Sequence, residues 1–193
     1  MKTTAAPPPA APRLTSGQRA LLLTLAIFLL PVAIGGGMYL LGWRPAKTSN
    51  HGELVQPLRP LPLAALGADA ATAVAGKWLL LVAGDAPCEA ACVALAEQTR
   101  AIQVSLNRDM GRLRRIVLVD ATTPALVALQ AKQPDLLLAA PPPAWRTALA
   151  AGARHRLFVV DPAGNLMMQY APEAEAKGVR ADLERLLKYS WIG

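Results

Sequence analysis

The chain has 193 residues, a formal net charge of +7, 53% hydrophobic residues and two cysteines. The charge is uneven, because residues 1–50 carry five of the twenty basic side chains and none of the thirteen acidic ones. The rest of the chain is therefore almost neutral, which is not the charge pattern of a protein that binds nucleic acid. A chain of this length has room for one domain and additional segments.

The N-terminal part of the chain predicts a membrane anchor. Residues 1–19 are rich in Ala, Pro and Thr, and we expect them to form a disordered cytoplasmic tail. Residues 20–43 carry no charge and are long enough for a helix that crosses about 30 Å of hydrocarbon. A cleavable signal peptide, the alternative, would have a shorter apolar core and a small-x-small cleavage site behind it. Because Gly42-Trp-Arg-Pro follows instead, the sequence predicts an uncleaved signal anchor.

Basic side chains flank the apolar segment on both sides. Lys2, Arg13 and Arg19 precede it, whereas Arg44 and Lys47 follow it. Because cytoplasmic flanks are enriched in Lys and Arg, we expect the N-terminus in the cytoplasm. The protein would then cross a bacterial-type inner membrane once, with its C-terminal domain in the periplasm.

Residues 44–75 predict a partly extended spacer between the membrane and the domain. Several prolines interrupt this stretch, and it has little hydrophobic periodicity. His51 lies in it. We interpret His51 as a solvated linker residue, which could reach a metal site only if the linker folded back.

An apolar strand, a turn and both cysteines follow one another near the middle of the chain. Trp78–Ala83 form a short apolar run between two glycines, which predicts a strand buried on both faces of a sheet. A helix should follow, with Asp85 as its N-cap and Gly111 as its stop. Helical spacing then places Cys88 and Cys92 on one face of this helix.

The two cysteines allow three interpretations. Free N–H groups in a first helical turn favour a thiolate at Cys88, and side chains four residues apart have Cβ atoms about 5–6 Å apart. This distance lets two thiolates hold one soft metal ion or, with local distortion, form a disulfide. In the third interpretation both cysteines are small core residues. The spacing does not choose among them, although open α/β sheets place reactive groups where strand gives way to helix.

The remaining sequence predicts a thioredoxin-like order of elements. The predicted elements are a strand at 115–120, a helix at 122–132, a loop at 141–143, a short helix at 145–151, a hairpin at 157–170 and a closing helix at 178–189. Two β-α units followed by a hairpin and a helix indicate an α/β domain with a thioredoxin-like fold at residues 76–193. Four arginines follow near the end of the helix that carries the cysteines: Arg108, Arg112, Arg114 and Arg115. We interpret this basic cluster as a solvated face, with a docking site for an acidic partner as the alternative.

Around the cysteines the chain resembles a known family. Gly76-Lys77, Cys88-Glu-Ala-Ala-Cys92 and Asp161-Pro-Ala-Gly164 are similar to the Sco/SenC copper chaperones, which have a thioredoxin fold. Residues 50–54 and 164–168 also resemble a smaller Sco-like group. The resemblance implies copper binding at Cys88 and Cys92 and a role in cytochrome c oxidase assembly. The partner would be an oxidase subunit or a periplasmic copper chaperone.

Two positions depart from the family pattern. Glu89 stands where the family usually has Pro, and Ala153 stands where its copper-binding His lies. His155 is two residues further on, and a shift of two along a strand preserves the face while moving the side chain about 7 Å. His155 is therefore the candidate third metal ligand, with a solvent-facing or capping role as the alternative. Met167 and Met168 are expected in the core, with thioether ligation as their alternative.

Two functions of different classes follow from these residues. The first is a membrane-anchored, Sco-like protein that binds Cu(I) through its two cysteines. The second is a periplasmic thiol–disulfide oxidoreductase in which Cys88 attacks and Cys92 resolves. A scaffold that does not use its thiols is a third possibility. The chain has no glycine-rich phosphate loop, and two histidines cannot supply most metal-hydrolase sites, so we do not expect dinucleotide binding or hydrolysis.

Overall fold

The structure is a computed structural model that describes residues 15–43 and 49–192. The chain divides into two compact units, Met1–Thr48 and Ser49–Gly193. Most of the predicted disordered tail, residues 1–14, lies outside the described residues. The same is true of residues 44–48, at the start of the predicted spacer.

The first unit contains one long helix, α1 (Ser16–Leu40). Thr15 caps it, since its hydroxyl accepts a hydrogen bond from the Gln18 N–H while the Gln18 side chain accepts one from the Thr15 N–H. An 18-residue window of α1 has a mean hydropathy of 2.3 and is not buried, and α1 contains Pro31. Within the described part of the chain it is the one helix long and apolar enough to cross a membrane. The predicted apolar helix is thus confirmed by its length and composition, but it begins at Ser16, so residues 16–19 belong to the helix and not to the predicted disordered tail.

The second unit is built on a six-stranded mixed sheet with the strand order β1-β6-β5-β2-β3-β4. Its strands are β1 (Glu53–Pro60), β2 (Trp78–Ala83), β3 (Leu113–Leu118), β4 (Leu136–Ala139), β5 (Arg156–Val160) and β6 (Asn165–Gln169). Strands β2, β3 and β4 are parallel, whereas β5, β6 and β1 form antiparallel pairs. All six residues of β2 are buried, as the sequence predicts for a central strand.

Helices cover both faces of this sheet. They are α2 (Ala68–Val74), α3 (Ala90–Ser105), α4 (Pro124–Lys132), α5 (Pro143–Leu149) and α6 (Ala176–Tyr189). Leu80 and Val82 of β2 pack in one core with α3, α4 and α6, while Leu79 and Leu81 pack in a second core with α2 and α5. The order of elements confirms the predicted α/β, thioredoxin-like arrangement, including the late hairpin and the closing helix.

Residues 53–74 are part of the folded domain, so the expectation of an extended spacer is wrong for this stretch. Strand β1 pairs with β6, and the carboxylate of Asp182 on α6 accepts hydrogen bonds from the N–H groups of His51 and Gly52, at 2.9 Å in each case. Pro57 does not prevent strand formation, because β1 is an edge strand and needs hydrogen bonds on one side only.

Arg115 corrects the interpretation of the arginine cluster. Its side chain is fully buried, and its guanidinium donates to Gln103 at 2.7 Å, Gln133 at 2.7 Å, Thr99 at 3.3 Å and Asp135 at 2.9 Å. The expectation of a solvated or docking arginine is therefore wrong at this position. The reason is that α3 packs over the face of β3 on which Arg115 lies, so this side chain is enclosed.

Arg112 also has an internal role. Its guanidinium donates to the carbonyl groups of Leu187, Ser190 and Ile192 at 2.8–3.0 Å, and it forms an ion pair with Asp109. These carbonyls lie at and beyond the C-terminal end of α6, where helical carbonyls lack intrahelical donors. Arg112 thus holds the C-terminal end of the domain in place.

Candidate metal and thiol site

The two cysteines lie on either side of the start of α3. The helix begins at Ala90, and its N-cap Glu89 has the extended dihedral angles φ −91° and ψ −165°. Cys88 therefore precedes the helix, whereas Cys92 is the third helical residue. The predictions that Asp85 caps this helix and that both cysteines share one helical face are wrong. The physical reason is the extended conformation at Glu89, which breaks the helical path between the two cysteines.

Cys88 and Cys92 are joined by a disulfide, with their Cα atoms 5.1 Å apart. This separation lies within the usual range for disulfides. Both residues are only 2% exposed. Thr123, the N-cap of α4, donates a hydrogen bond from its hydroxyl to the Cys88 carbonyl at 3.2 Å. Of the interpretations that the spacing allowed, the disulfide is the one present in this structure.

Backbone hydrogen bonds bring the segment before β5 beside the cysteine loop. The Asp85 N–H donates to the Gly152 carbonyl at 2.8 Å, and the Ala86 N–H donates to the Ala153 carbonyl at 3.3 Å. As a result, a ring nitrogen of His155 and the two sulfurs lie within 4.8 Å of one another. The structure thus brings together the three predicted site residues.

Gly84 makes this approach possible. A Cβ added at Gly84 would lie 2.8 Å from both Cα and Cγ of His155, which is closer than real Cβ contacts. Only glycine therefore fits at the end of β2 with His155 in its present position. In the sequence, Gly84 is recognisable only as the boundary of the predicted strand. No local pattern indicates its contact with a residue that the pairing of β2 with β5 brings beside it.

The His155 imidazole has one buried ring nitrogen without a hydrogen-bond partner among the described residues. Its Nε2 atom is one of three buried side-chain nitrogen or oxygen atoms without a partner among the described residues. Burial lowers the pKa of His155, and the nearby charge of Asp85 opposes this only in part. His155 is flanked by two positively charged residues, Arg154 and Arg156. Arg154 forms an ion pair with Glu173, which offsets one of these two charges. A neutral imidazole carries a lone pair that can accept a proton or bind a metal ion.

A groove of about 560 Å³ opens beside the disulfide. Its wall includes mostly small or apolar side chains, among them Pro87, Ala91, Ala94, Leu95 and Pro172. Cys92 and His155 line the groove, while Cys88 is not part of its lining in the described structure. Of the two cysteines, Cys92 is therefore the one that can be approached through the groove.

The other candidate residues lie elsewhere. His51 is exposed and lies beside Gly178 on α6. Among the described residues, the group of possible metal ligands consists of Cys88, Cys92 and His155 and does not include His51. Met168 is 2% exposed and accepts a hydrogen bond from the Tyr170 hydroxyl at 3.7 Å, so its prediction as a core residue is confirmed. Met167 is half-buried and packs against the same core.

Several solved structures resemble part of this chain at low sequence identity. Copper-bound ScoI from Bradyrhizobium japonicum is 18% identical with a TM-score of 0.44, over 59% of this chain and 87% of ScoI. BsSco, a member of the Sco family of cytochrome c oxidase assembly proteins, is 11% identical with a TM-score of 0.46, over 76% and 98% of the two chains. A thiol peroxidase from Chromobacterium violaceum is 13% identical with a TM-score of 0.44, over 62% of this chain and 77% of the peroxidase.

A search of curated proteins found no match. The sequence model of one family matches residues 78–190, which include every strand except β1, both cysteines and His155. That family is described as the transmembrane-like, thioredoxin-like, C-terminal domain. Since the match covers more than half of the chain, this protein belongs to the transmembrane-like, thioredoxin-like, C-terminal domain family.

Proposed function

We propose that this chain is a membrane-anchored, Sco-like protein that binds Cu(I) as its cargo and assists the assembly of cytochrome c oxidase. The observation that carries the proposal is the convergence of two sulfurs and one imidazole nitrogen within 4.8 Å. The motifs that resemble the Sco/SenC family supply the expected cargo and partner.

The chemistry of the three side chains fits Cu(I). Thiolate ligands select soft ions such as Cu(I), and imidazole is a common copper ligand. His155 offers its nitrogen in the neutral form, because burial lowers its pKa. Its buried Nε2 atom has no protein partner that an incoming ion would have to displace. The site is also next to an open groove, so a donor protein could approach it.

Copper binding requires the reduced pair. Two electrons and two protons convert the disulfide to two thiols, and an ion bound by both sulfurs then displaces the two thiol protons. The disulfide observed here is thus the copper-free, oxidised form. Loading would depend on a thiol reductant in the same compartment.

The disulfide itself favours a second function, thiol–disulfide exchange with a partner protein. The pair can carry two electrons between its dithiol and disulfide forms without a metal. Its substrate would be a cysteine pair of an oxidase subunit or of a copper chaperone. Copper binding separates the two functions, because exchange needs no third ligand.

The proposed topology places the thioredoxin-like domain in the periplasm and the N-terminus in the cytoplasm. Lys2 and Arg13 before α1 and Arg19 in its first turn support this orientation. A reporter that is active only in the periplasm, fused after Gly193, should give a signal. Activity only from a cytoplasmic reporter would reject both proposed functions at once.

Titration with Cu(I) tests the leading proposal. The full chain, reduced and purified in detergent, should bind one Cu(I) in competition with a chromogenic Cu(I) chelator. Cys88→Ser and Cys92→Ser should each abolish tight binding, because one thiolate cannot hold the ion alone. If the reduced wild-type protein fails to compete for Cu(I), the copper function is rejected and thiol exchange becomes the leading function.

A further inference from the structure

We propose that Cys92, rather than Cys88, is the sulfur that exchanges with a partner protein, and that the groove beside Cys92 receives a cysteine-bearing segment of that partner. This inference rests on the proposed thiol–disulfide exchange. It reverses the order expected from the sequence, in which Cys88 attacks and Cys92 resolves.

Access to the disulfide favours Cys92. Both cysteines are 2% exposed, so a partner sulfur can reach them only through a depression in the surface. The groove supplies this depression at Cys92. Cys88 lies in the loop before α3, where the N-cap residue of α4, Thr123, holds its carbonyl. Cys88, in contrast, does not line the groove.

The position of Cys92 on α3 also suits the attacking sulfur. It lies in the first turn, and no side chain caps this end of the helix. Free N–H groups and the positive end of the helix dipole therefore stabilise the negative charge of a thiolate there. Cys88 precedes the helix, so its sulfur is the one left to attack Cys92 and close the disulfide.

The groove indicates what kind of segment it accepts. Ala91 and Ala94 on α3 have short side chains, and Leu95, Pro87 and Pro172 add apolar surface. Polar side chains such as Gln98 and Arg154 complete the lining. An extended segment with an apolar residue next to its cysteine would fit, because the small alanines leave room for that side chain.

The exchange takes place in two steps. The Cys92 thiolate of the reduced protein attacks a disulfide of the partner, so that a Cys92–partner bond forms while the partner's second sulfur leaves as a thiolate. The Cys88 thiolate then attacks the Cys92 sulfur. This step restores the Cys88–Cys92 disulfide and releases the partner's first sulfur as a thiolate. The pair gives up two electrons, and the partner's disulfide is reduced.

Single-cysteine variants test the assignment in the full chain in detergent micelles. The probe is a short peptide with one cysteine flanked by leucine and activated as its thionitrobenzoate disulfide, so that each exchange releases coloured thionitrobenzoate. Cys88→Ser, which retains Cys92, should react at least about tenfold faster than Cys92→Ser, which retains Cys88. The two variants should react at similar rates in denaturant, where the groove is lost.

A matched pair of substitutions tests the role of the groove. In the Cys88→Ser background, Ala94→Leu fills the groove and should slow the reaction several-fold. Ala101→Leu is the control, because Ala101 is exposed on the same helix and is not part of the groove lining. An equal or faster reaction of Cys92→Ser, or no effect of Ala94→Leu, would overturn the inference while leaving the exchange function in place. If neither variant nor the reduced wild-type protein reacts, the exchange function itself fails.

Discussion

Two buried polar clusters lie at opposite ends of β2 and β3, and they differ in how well their nitrogen atoms are paired. The guanidinium of Arg115 has an acceptor at each of its three nitrogens. The imidazole of His155, in contrast, has a buried Nε2 atom without a partner among residues 15–43 and 49–192. Buried polar groups in folded proteins are normally paired, so an unpaired one calls for an explanation. We infer that the first cluster stabilises the fold and that the second is open to a ligand.

The pKa shifts of the two clusters show the same contrast. Burial alone would raise the pKa of Asp135, but its hydrogen bond and charge attraction with Arg115 outweigh this and lower it. Burial lowers the pKa of His155, and the charge of Asp85 does not compensate. The charged form is thus favoured in the Arg115 cluster, whereas the neutral form is favoured at His155. Neutral imidazole is the form that binds metal ions.

The largest effect is expected at Arg115. Arg115→Met should lower the free energy of unfolding by about 2–4 kcal/mol, because it leaves the side-chain oxygens of Gln103 and Gln133 buried without donors. Urea unfolding followed by circular dichroism measures this change. Arg114→Met, at the half-buried neighbouring position of the same strand, is the control and should cost much less. Equal losses from both variants would mean that the Arg115 cluster has no special structural role.

The next largest effect is expected at Gly84. Gly84→Ala places a methyl group 2.8 Å from the His155 backbone, which must move, and we expect a loss of about 1–3 kcal/mol in stability. Cu(I) affinity should fall as well, since His155 is displaced from the sulfurs. Gly111→Ala is the control, because an added Cβ there meets nothing within 4 Å. Unchanged copper affinity in Gly84→Ala would show that the position of His155 does not matter for binding.

His155→Ala tests whether the unpaired imidazole binds copper. It should reduce Cu(I) affinity by roughly tenfold, or about 1.4 kcal/mol, if the imidazole is a third ligand. Stability of the copper-free protein should change little, because no hydrogen bond to Nε2 is lost. Competition with a chromogenic chelator measures the affinity. His51→Ala provides the control, since this second histidine is exposed and lies outside the group of ligands. An affinity equal to that of the wild type would leave a site with the two sulfurs only.

The smallest effect is a pH dependence of stability. The pKa of His155 is lower in the folded protein than its ordinary value of 6.5, so the unfolded chain takes up this proton first as the pH falls. The stability associated with neutral His155 is therefore complete above 6.5 and is lost as the pH falls from there towards the folded-state pKa. His155→Gln should remove this part of the pH dependence. Unfolding curves recorded on both sides of pH 6.5 for the two proteins test it, and identical pH profiles would contradict it.

Features that depend on neighbouring residues could be predicted from the sequence. The apolar run of β2, the helix predicted at 122–132 and the hairpin turn are examples. In that turn the Asp161 carboxylate accepts hydrogen bonds from the N–H groups of Ala163 at 3.0 Å and Asn165 at 2.7 Å. The apolar helix α1 belongs to the same group, because its length and composition alone identify it. Such features are specified by contacts within a few residues, so a sequence pattern records them.

The tertiary structure decided what depends on distant parts of the chain. Strand β1 forms because β6 offers an open edge, and Arg115 is buried because α3 packs over its face of β3. The candidate site has the same character. Sequence alone identified Cys88, Cys92 and His155 as candidates, but the break at Glu89 and the pairing of β2 with β5 determine which cysteine lines the groove and how close His155 comes. These contacts join residues far apart in sequence, and no local pattern specifies such distances.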